Sequence, residues 1–225
     1  MSSRVVWDMP IRLVIAAIAL TVAVVLAVTS EGEAQKPPKP GATTRKASPQ
    51  QVTFSQPVAL TGKIKGAKQA VTVTIERRAA DAAAYVPVGT VTSDVNGDFA
   101  FADRPAKSSV YKATAGTAAS PEVAVAVAPL VGLKVGDSTP RKGQRVRFKG
   151  TVRPQHDGTR VAIQRKRADG TWATVRSPLL RDAGSAFSRY SKRIRIRRSG
   201  TYRTVIGAHA DHAEGVSRER VLTVG

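Results

Sequence analysis

No cysteine occurs among the 225 residues. That excludes a disulfide, a thiolate metal ligand, a cysteine nucleophile and a lipid carried on an N-terminal cysteine. Any folded domain must therefore rest on its apolar core. Aromatic residues are scarce as well, with two Trp, four Tyr and five Phe, so the core is built mainly from Val, Ile, Leu and Ala. Helical periodicity is missing beyond the N-terminal segment, and the alanine-rich run Ala79–Ala84 is too short for more than a turn of helix. No nucleophile motif appears, so a hydrolytic triad with its oxyanion hole is not expected. Acidic residues are in short supply in one region only. Residues 51–133 hold eight Lys/Arg and six Asp/Glu, whereas residues 134–225 hold 22 and seven.

What is present is one β pattern written twice. Val58, Leu60, Gly62 and Ile64 alternate as strand positions do, and adding 88 to each number gives Val146, Phe148, Gly150 and Val152. The same offset carries Val73, Ile75 and Arg77 onto Val161, Ile163 and Arg165, and Asp94 and Phe99 onto Asp182 and Phe187. A fixed register held over some forty residues indicates two copies of one domain. The expected division is 1–34, a signal peptide or N-terminal membrane anchor; 35–50, a Pro/Lys-rich linker; 51–130, the first β-sandwich; and 131–225, a basic second β-sandwich.

Leu13–Val28 is apolar apart from Thr21, with Arg4 and Arg12 before it and Glu31 and Glu33 after it. Positive residues ahead of an apolar stretch hold the N-terminus in the cytoplasm and place the downstream chain outside. The length suits a secretory signal core and, extended through Ser30, a retained transmembrane helix, and both readings stay open. Either makes the protein extracytoplasmic, secreted or anchored to the cell membrane by residues 13–30. Residues 35–50 are rich in Pro and Lys and poor in large apolar side chains, which predicts an extended linker.

Each copy offers seven short strand segments. They are near 52–54, 58–64, 70–77, 85–92, 98–102, 109–115 and 121–127, and near 133–135, 144–152, 159–166, 172–176, 186–196, 201–208 and 217–224. Seven such segments separated by turn signals predict an all-β fold, two tandem antiparallel β-sandwiches after the N-terminal hydrophobic helix. Tyr85 and Trp172 begin the fourth segment of each copy, and Tyr111 and Tyr202 lie at the sixth, where a tyrosine corner would sit. Together these positions resemble the tandem bacterial immunoglobulin-like or fibronectin type III-like repeats of secreted and cell-surface proteins. The resemblance covers residues 51–225 and implies adhesion, spacing or carbohydrate-proximal display, as a rule without catalysis; no cofactor is expected. A transthyretin-like or carboxypeptidase-regulatory-like sandwich would share the Asn96-Gly97 turn, so strand order stays open.

Three features invite a functional reading. Asp94-Val95-Asn96-Gly97-Asp98 opens like a calcium loop but has no glutamate at its twelfth position, and Asn-Gly is a type I′ hairpin signal; a hairpin turn is expected. His209, Asp211, His212 and Glu214 cluster in the connection before the last strand of the second copy. Imidazole and carboxylate at that spacing suit zinc or copper, but a solvated polar turn explains them without metal, and no metal site is expected. A metal or small-ligand carrier remains the alternative function.

The third feature is a basic face. Arg145, Arg147 and Lys149 alternate with Val146 and Phe148, and Arg193, Arg195 and Arg197 with Ile194 and Ile196. If the apolar partners point inward, all six cations point out. The second and fifth strands are sheet neighbours in an immunoglobulin-like sandwich, which would merge the two rows into one patch. The expected partner is an anionic envelope polymer or lipid headgroups, bound by charge pairing, with the membrane an additional partner if the N-terminal helix is uncleaved. Reading of a specific nucleic-acid sequence is not expected, since there is no recognition helix. A passive subunit of a surface assembly would instead need a stable protein partner.

Overall fold

The computed structural model describes residues 41–184 and 186–225. The expected signal or anchor at Leu13–Val28 lies outside the described residues. Among those described there is no α-helix, and no helix is long and apolar enough to cross a membrane.

The first half is built from β1 (Gly41–Ser48), β2 (Gln51–Thr53), β3 (Val58–Lys65), β4 (Thr72–Ala79), β5 (Val86–Thr92), β6 (Asp98–Asp103), β7 (Ser109–Ala115), β8 (Ala118–Ala119) and β9 (Val123–Ala128). One sheet has the order β1-β3-β6; the facing sheet runs β2-β9-β7-β4-β5, with β8 on β7. The second half comprises β10 (Leu130–Val131), β11 (Lys134–Val135), β12 (Arg145–Arg153), β13 (Val161–Lys166), β14 (Trp172–Arg176), β15 (Arg181–Asp182), β16 (Ser188–Arg195), β17 (Gly200–Ile206), β18 (Gly215–Val216) and β19 (Arg220–Leu222). Its sheets are β10-β12-β16-β15, with β11 also on β12, and β14-β13-β17-β18, with β19 also on β17.

Period-two alternation explains the packing. In β3, Val58, Leu60 and Ile64 are buried while Ala59, Thr61 and Lys65 are exposed. In β12, Val146 and Phe148 are buried between exposed cations, and Val152 is buried beside exposed Arg153. Each buried aliphatic or aromatic side chain contributes about 1.5–3 kcal/mol of burial free energy. The inward rows of the two halves form separate cores, one around Leu60, Ile75 and Tyr111 and the other around Phe148, Ile163 and Tyr202.

Four expectations need correction. Gly41–Ser48, inside the expected linker, pairs antiparallel with β3 from Gly41↔Lys65 to Ser48↔Ala59. Composition hid this strand because its backbone supplies the pairing, and one small residue, Ala47 at 1% exposure, is enough to seal it to the core. Second, the sheets are not wholly antiparallel, since β2 runs parallel to β9. Third, Asn96-Gly97 is not a hairpin: β5 and β6 belong to opposite sheets. Only Gly97 takes a positive φ, +85°, whereas a type I′ turn needs two such residues. The Asp94 carboxylate instead accepts the backbone N–H groups of Asn96 and Asp98, each at 2.8 Å. Fourth, Phe187 is not the counterpart of Phe99. Gly62 faces Phe99 and Gly150 faces Tyr190, so the offset of 88 that relates β3 to β12 becomes 91 from Phe99 to Tyr190 and from Tyr111 to Tyr202. The extra residues lie in the connection carrying β15, where loops absorb insertions readily.

The two halves touch. Only Pro129 separates β9 from β10. Ser108 N–H donates to Asp211 O at 2.9 Å and Ala213 N–H to Val127 O at 2.8 Å.

Candidate functional site

The cationic rows lie side by side. In the β12/β16 register Arg145 faces Arg195 and Arg147 faces Arg193. Val146, Phe148, Ile194 and Ile196 are at most 6% exposed, which turns all six expected cations to solvent. Lys149 faces Ser191 on one side and Lys134 on the other. Arg197 lies two residues past the end of β16. The face is wider than the two rows, because Arg189 pairs across to Arg181 of β15.

The corresponding face of the first half is almost uncharged. Ala59 pairs with Ala102 and Thr61 with Ala100. Lys63 is neutralised there by Asp98, 2.8 Å away. The contrast holds beyond this face. Among the described residues Lys63, Arg77, Arg78, Lys107 and Lys112 each have a carboxylate within 4.0 Å, and no Lys or Arg of the second half does.

Like charges directly opposite one another on a sheet are destabilising. Replacing Arg193 by Ala, the residue at the matching position 102, is therefore expected to raise the melting temperature by a few degrees at low ionic strength. The gain should fade near 1 M salt, where the screening length is only about 3 Å. Thermal unfolding at both ionic strengths measures it; a drop in melting temperature at low salt would contradict the repulsion.

Arg77 and Arg165 recur between the copies and stay out of the face. Arg77 Nη1 is 2.8 Å from Asp103 Oδ2, and the Tyr111 hydroxyl donates to the same oxygen at 2.7 Å. Burial, followed by the Asp103 carboxylate, pushes the Tyr111 phenol far up. Tyr111 thus bonds to a side chain and not to upstream backbone as a tyrosine corner does.

The histidine loop is only partly solvated: Ala208, Ala210 and Glu214 are exposed, but His212 is not. His212 is 3% exposed, and its Nε2 lies 2.9 Å from Ala106 O of the first half. Its Nδ1 is 3.0 Å from Asp211 Oδ1, close enough for an ion pair but without hydrogen-bond alignment. Burial alone would raise the Asp211 carboxyl, but His212 and then Lys107, at 3.3 Å, outweigh it and hold it below its usual value. His156 completes the cluster, its ring centroid 4.9 Å from that of His212 and 5.4 Å from that of His209. The candidate set His209, Asp211, His212 and Glu214 does not converge: among the described residues no three His, Asp or Glu side chains are placed to hold a metal ion. The cluster joins the two halves instead.

Burial lowers the His156 pKa below 6.5, reinforced by His212 and His209 and opposed by the Pro154 carbonyl and Asp211. The unfolded chain then binds more protons just below that value, so stability is complete above pH 6.5 and declines as pH falls through the lowered value. Melting curves between about pH 7 and 5 should show this decline, and His156→Phe should flatten it; an unchanged slope in that variant would count against the assignment.

No family model matches the chain, and no curated protein matches it. Among solved structures it is similar to a crystal structure of a tetra-tandem repeat in the extending region of a large adhesion protein, at 14% identity and a TM-score of 0.32. That match covers 76% of this chain and 48% of the other, so the chain spans about half the length of that structure.

Sequence reasoning missed Lys134, Arg181, Arg189, Arg176 and Lys192. Arg189 was in reach, since it continues the β16 row two residues beyond Ser191. Lys192 was hidden because it takes the inward parity between buried Tyr190 and Ile194, yet it is exposed.

Proposed function

We propose that the protein is an exported, non-enzymatic surface protein of two immunoglobulin-like sandwiches, the second of which docks on an anionic polymer. The strand order of the first half, three strands facing a five-strand row with crossed connections, supports the immunoglobulin-like assignment. Export rests on the charge-flanked apolar stretch Leu13–Val28.

One observation carries the docking. In the described residues of the second half every Lys and Arg lacks a carboxylate partner, while five in the first half have one. A repeat of the same architecture is built without this excess, so the fold does not require it. Arginine presents a planar fork suited to phosphate and carboxylate. The outward sides of the β12 and β16 rows carry no aromatic or large aliphatic side chain to enter a bilayer, which favours a polymer over a lipid surface. The first sandwich then acts as a spacer.

Binding of the full chain to an immobilised phosphodiester polymer tests the reading. Strong retention at low salt, lost as ionic strength rises toward about 1 M, is expected. Absence of retention at low salt overturns it.

A further inference from the structure

The two sandwiches differ most sharply at one place between their sheets. In the first, Arg77 and Tyr111 share the carboxylate of Asp103. Beside them the Phe101 ring packs against Gly89, so closely that a Cβ at Gly89 would come within 2.7 Å of it. The space between the sheets is closed there by a carboxylate and a ring.

Sheet register assigns the counterparts. Arg77 faces Tyr111, and Arg165 faces Tyr202. Val58 faces Asp103, and Val146 faces Ile194. Leu60 faces Phe101, and Phe148 faces Lys192. Ile75 faces Gly89, and Ile163 faces Arg176, each just before a bulge. In the second sandwich the carboxylate has thus become Ile194, the ring Lys192 and the glycine Arg176. The guanidinium and the phenol remain.

Where the first sandwich is plugged, the second has a cleft of about 960 Å³, lined by Arg165, Arg176, Lys192, Arg198 and Tyr202 and shared with the basic face at Arg145, Arg193, Arg195 and Arg197. No Asp or Glu lines it. Arg165 lies against Gly200, where a Cβ would come within 2.6 Å of Nε, and Nη2 donates to Ser199 O at 2.9 Å. Its Nε is buried with no hydrogen-bond partner. A buried donor without an acceptor costs free energy that an incoming anion recovers.

We infer that this cleft is a phosphate-binding site, in which a bound phosphate accepts from Arg165 and Tyr202 as the Asp103 carboxylate accepts from Arg77 and Tyr111 in the first sandwich. The inference rests on the docking proposal only for the polymer as the source of the phosphate. Donors converge from four strands or their ends: Arg165 from β13, Arg176 from β14, Lys192 from β16 and Tyr202 from β17. A tetrahedral phosphate presents its oxygens in several directions and so uses donors from several strands, whereas a planar carboxylate uses fewer. The volume falls within the roughly 300–1,000 Å³ of ordinary ligand pockets.

Calorimetric titration of the full chain with tripolyphosphate, and separately with a uronic-acid trimer, tests it, with the NMR signal of the Arg165 Nε–H as local reporter. Saturable tripolyphosphate binding that shifts this signal is expected. Lys192→Phe/Ile194→Asp rebuilds the plug of the first sandwich and should weaken binding about tenfold or more, the worth of one charge-assisted contact. Arg165→Gln, which removes the charge without placing an acid in the core, should do the same and provides the test if the double variant does not fold. Absent binding, tighter binding of the uronic-acid trimer, or unchanged tripolyphosphate affinity in the folded variants overturns the site. The two readings fail separately. A failed outer face shows as unchanged polymer retention in Arg147→Ser/Lys149→Ser, neither of which lines the cleft, and a failed cleft shows in the short anion alone.

Discussion

Replacing Arg145, Arg147, Arg193 and Arg195 together by serine is expected to cut affinity for a phosphodiester polymer on the order of a hundredfold or more at low salt. These four residues form two directly opposed pairs on the outer sheet, so a linear polyanion crossing the rows meets all of them. Each neutralised phosphate releases condensed counterions, and the gain scales with the number of contacts. The decisive control has the same change in net charge. Serine at Arg141, Lys142, Arg167 and Arg218, all exposed and outside the rows, also removes four positive charges. If the face is the site, the control retains most of its affinity, within about threefold of the parent. Equal losses in both would mean that bulk charge binds the polymer and that the rows are a solubility feature.

Phe148→Ala is the second large effect, and it acts on stability. The Phe148 ring is fully buried and packs on Tyr202 with ring centroids 5.2 Å apart at 58°. Truncating a buried Phe costs about 3–5 kcal/mol. A sandwich of some ninety residues has about 5–13 kcal/mol in total, so the second sandwich should melt far below the first. The first should be spared because its core is a separate cluster around Leu60 and Tyr111. Two resolved transitions by calorimetry are the expected result. Val221→Ala, at a position 65% exposed, should change stability by no more than about 0.5 kcal/mol. A single lowered transition would show that the junction at Asp211, His212 and Ala213 makes the two sandwiches unfold as one.

The division between what the sequence revealed and what it hid reflects the range of each interaction. Alternation within one strand is local, so the inward rows Val58/Leu60/Ile64 and Val146/Phe148/Val152 were readable, as were the outward arginines between them. The strand at Gly41–Ser48 was not, because an edge strand sealed by Ala47 needs almost no apolar content. Contacts between loops distant in sequence were out of reach. His156 stands beside Asp157-Gly158, more than fifty residues before His209, and only the fold brings it to His209 and His212. The exchange of Asp103 for Ile194 was concealed by the insertion near β15, since an offset of 88 sets Ser191 against Asp103 and misses the pairing altogether.

The most direct test of the central claim, that the unpaired cations of the second sandwich engage a polyanion, is the salt dependence of polymer binding. The logarithm of the association constant should fall linearly with the logarithm of salt concentration, and the four-serine face variant should flatten that slope by about three for four lost contacts. A parent slope near zero, or a face variant with the parent slope, would contradict the claim.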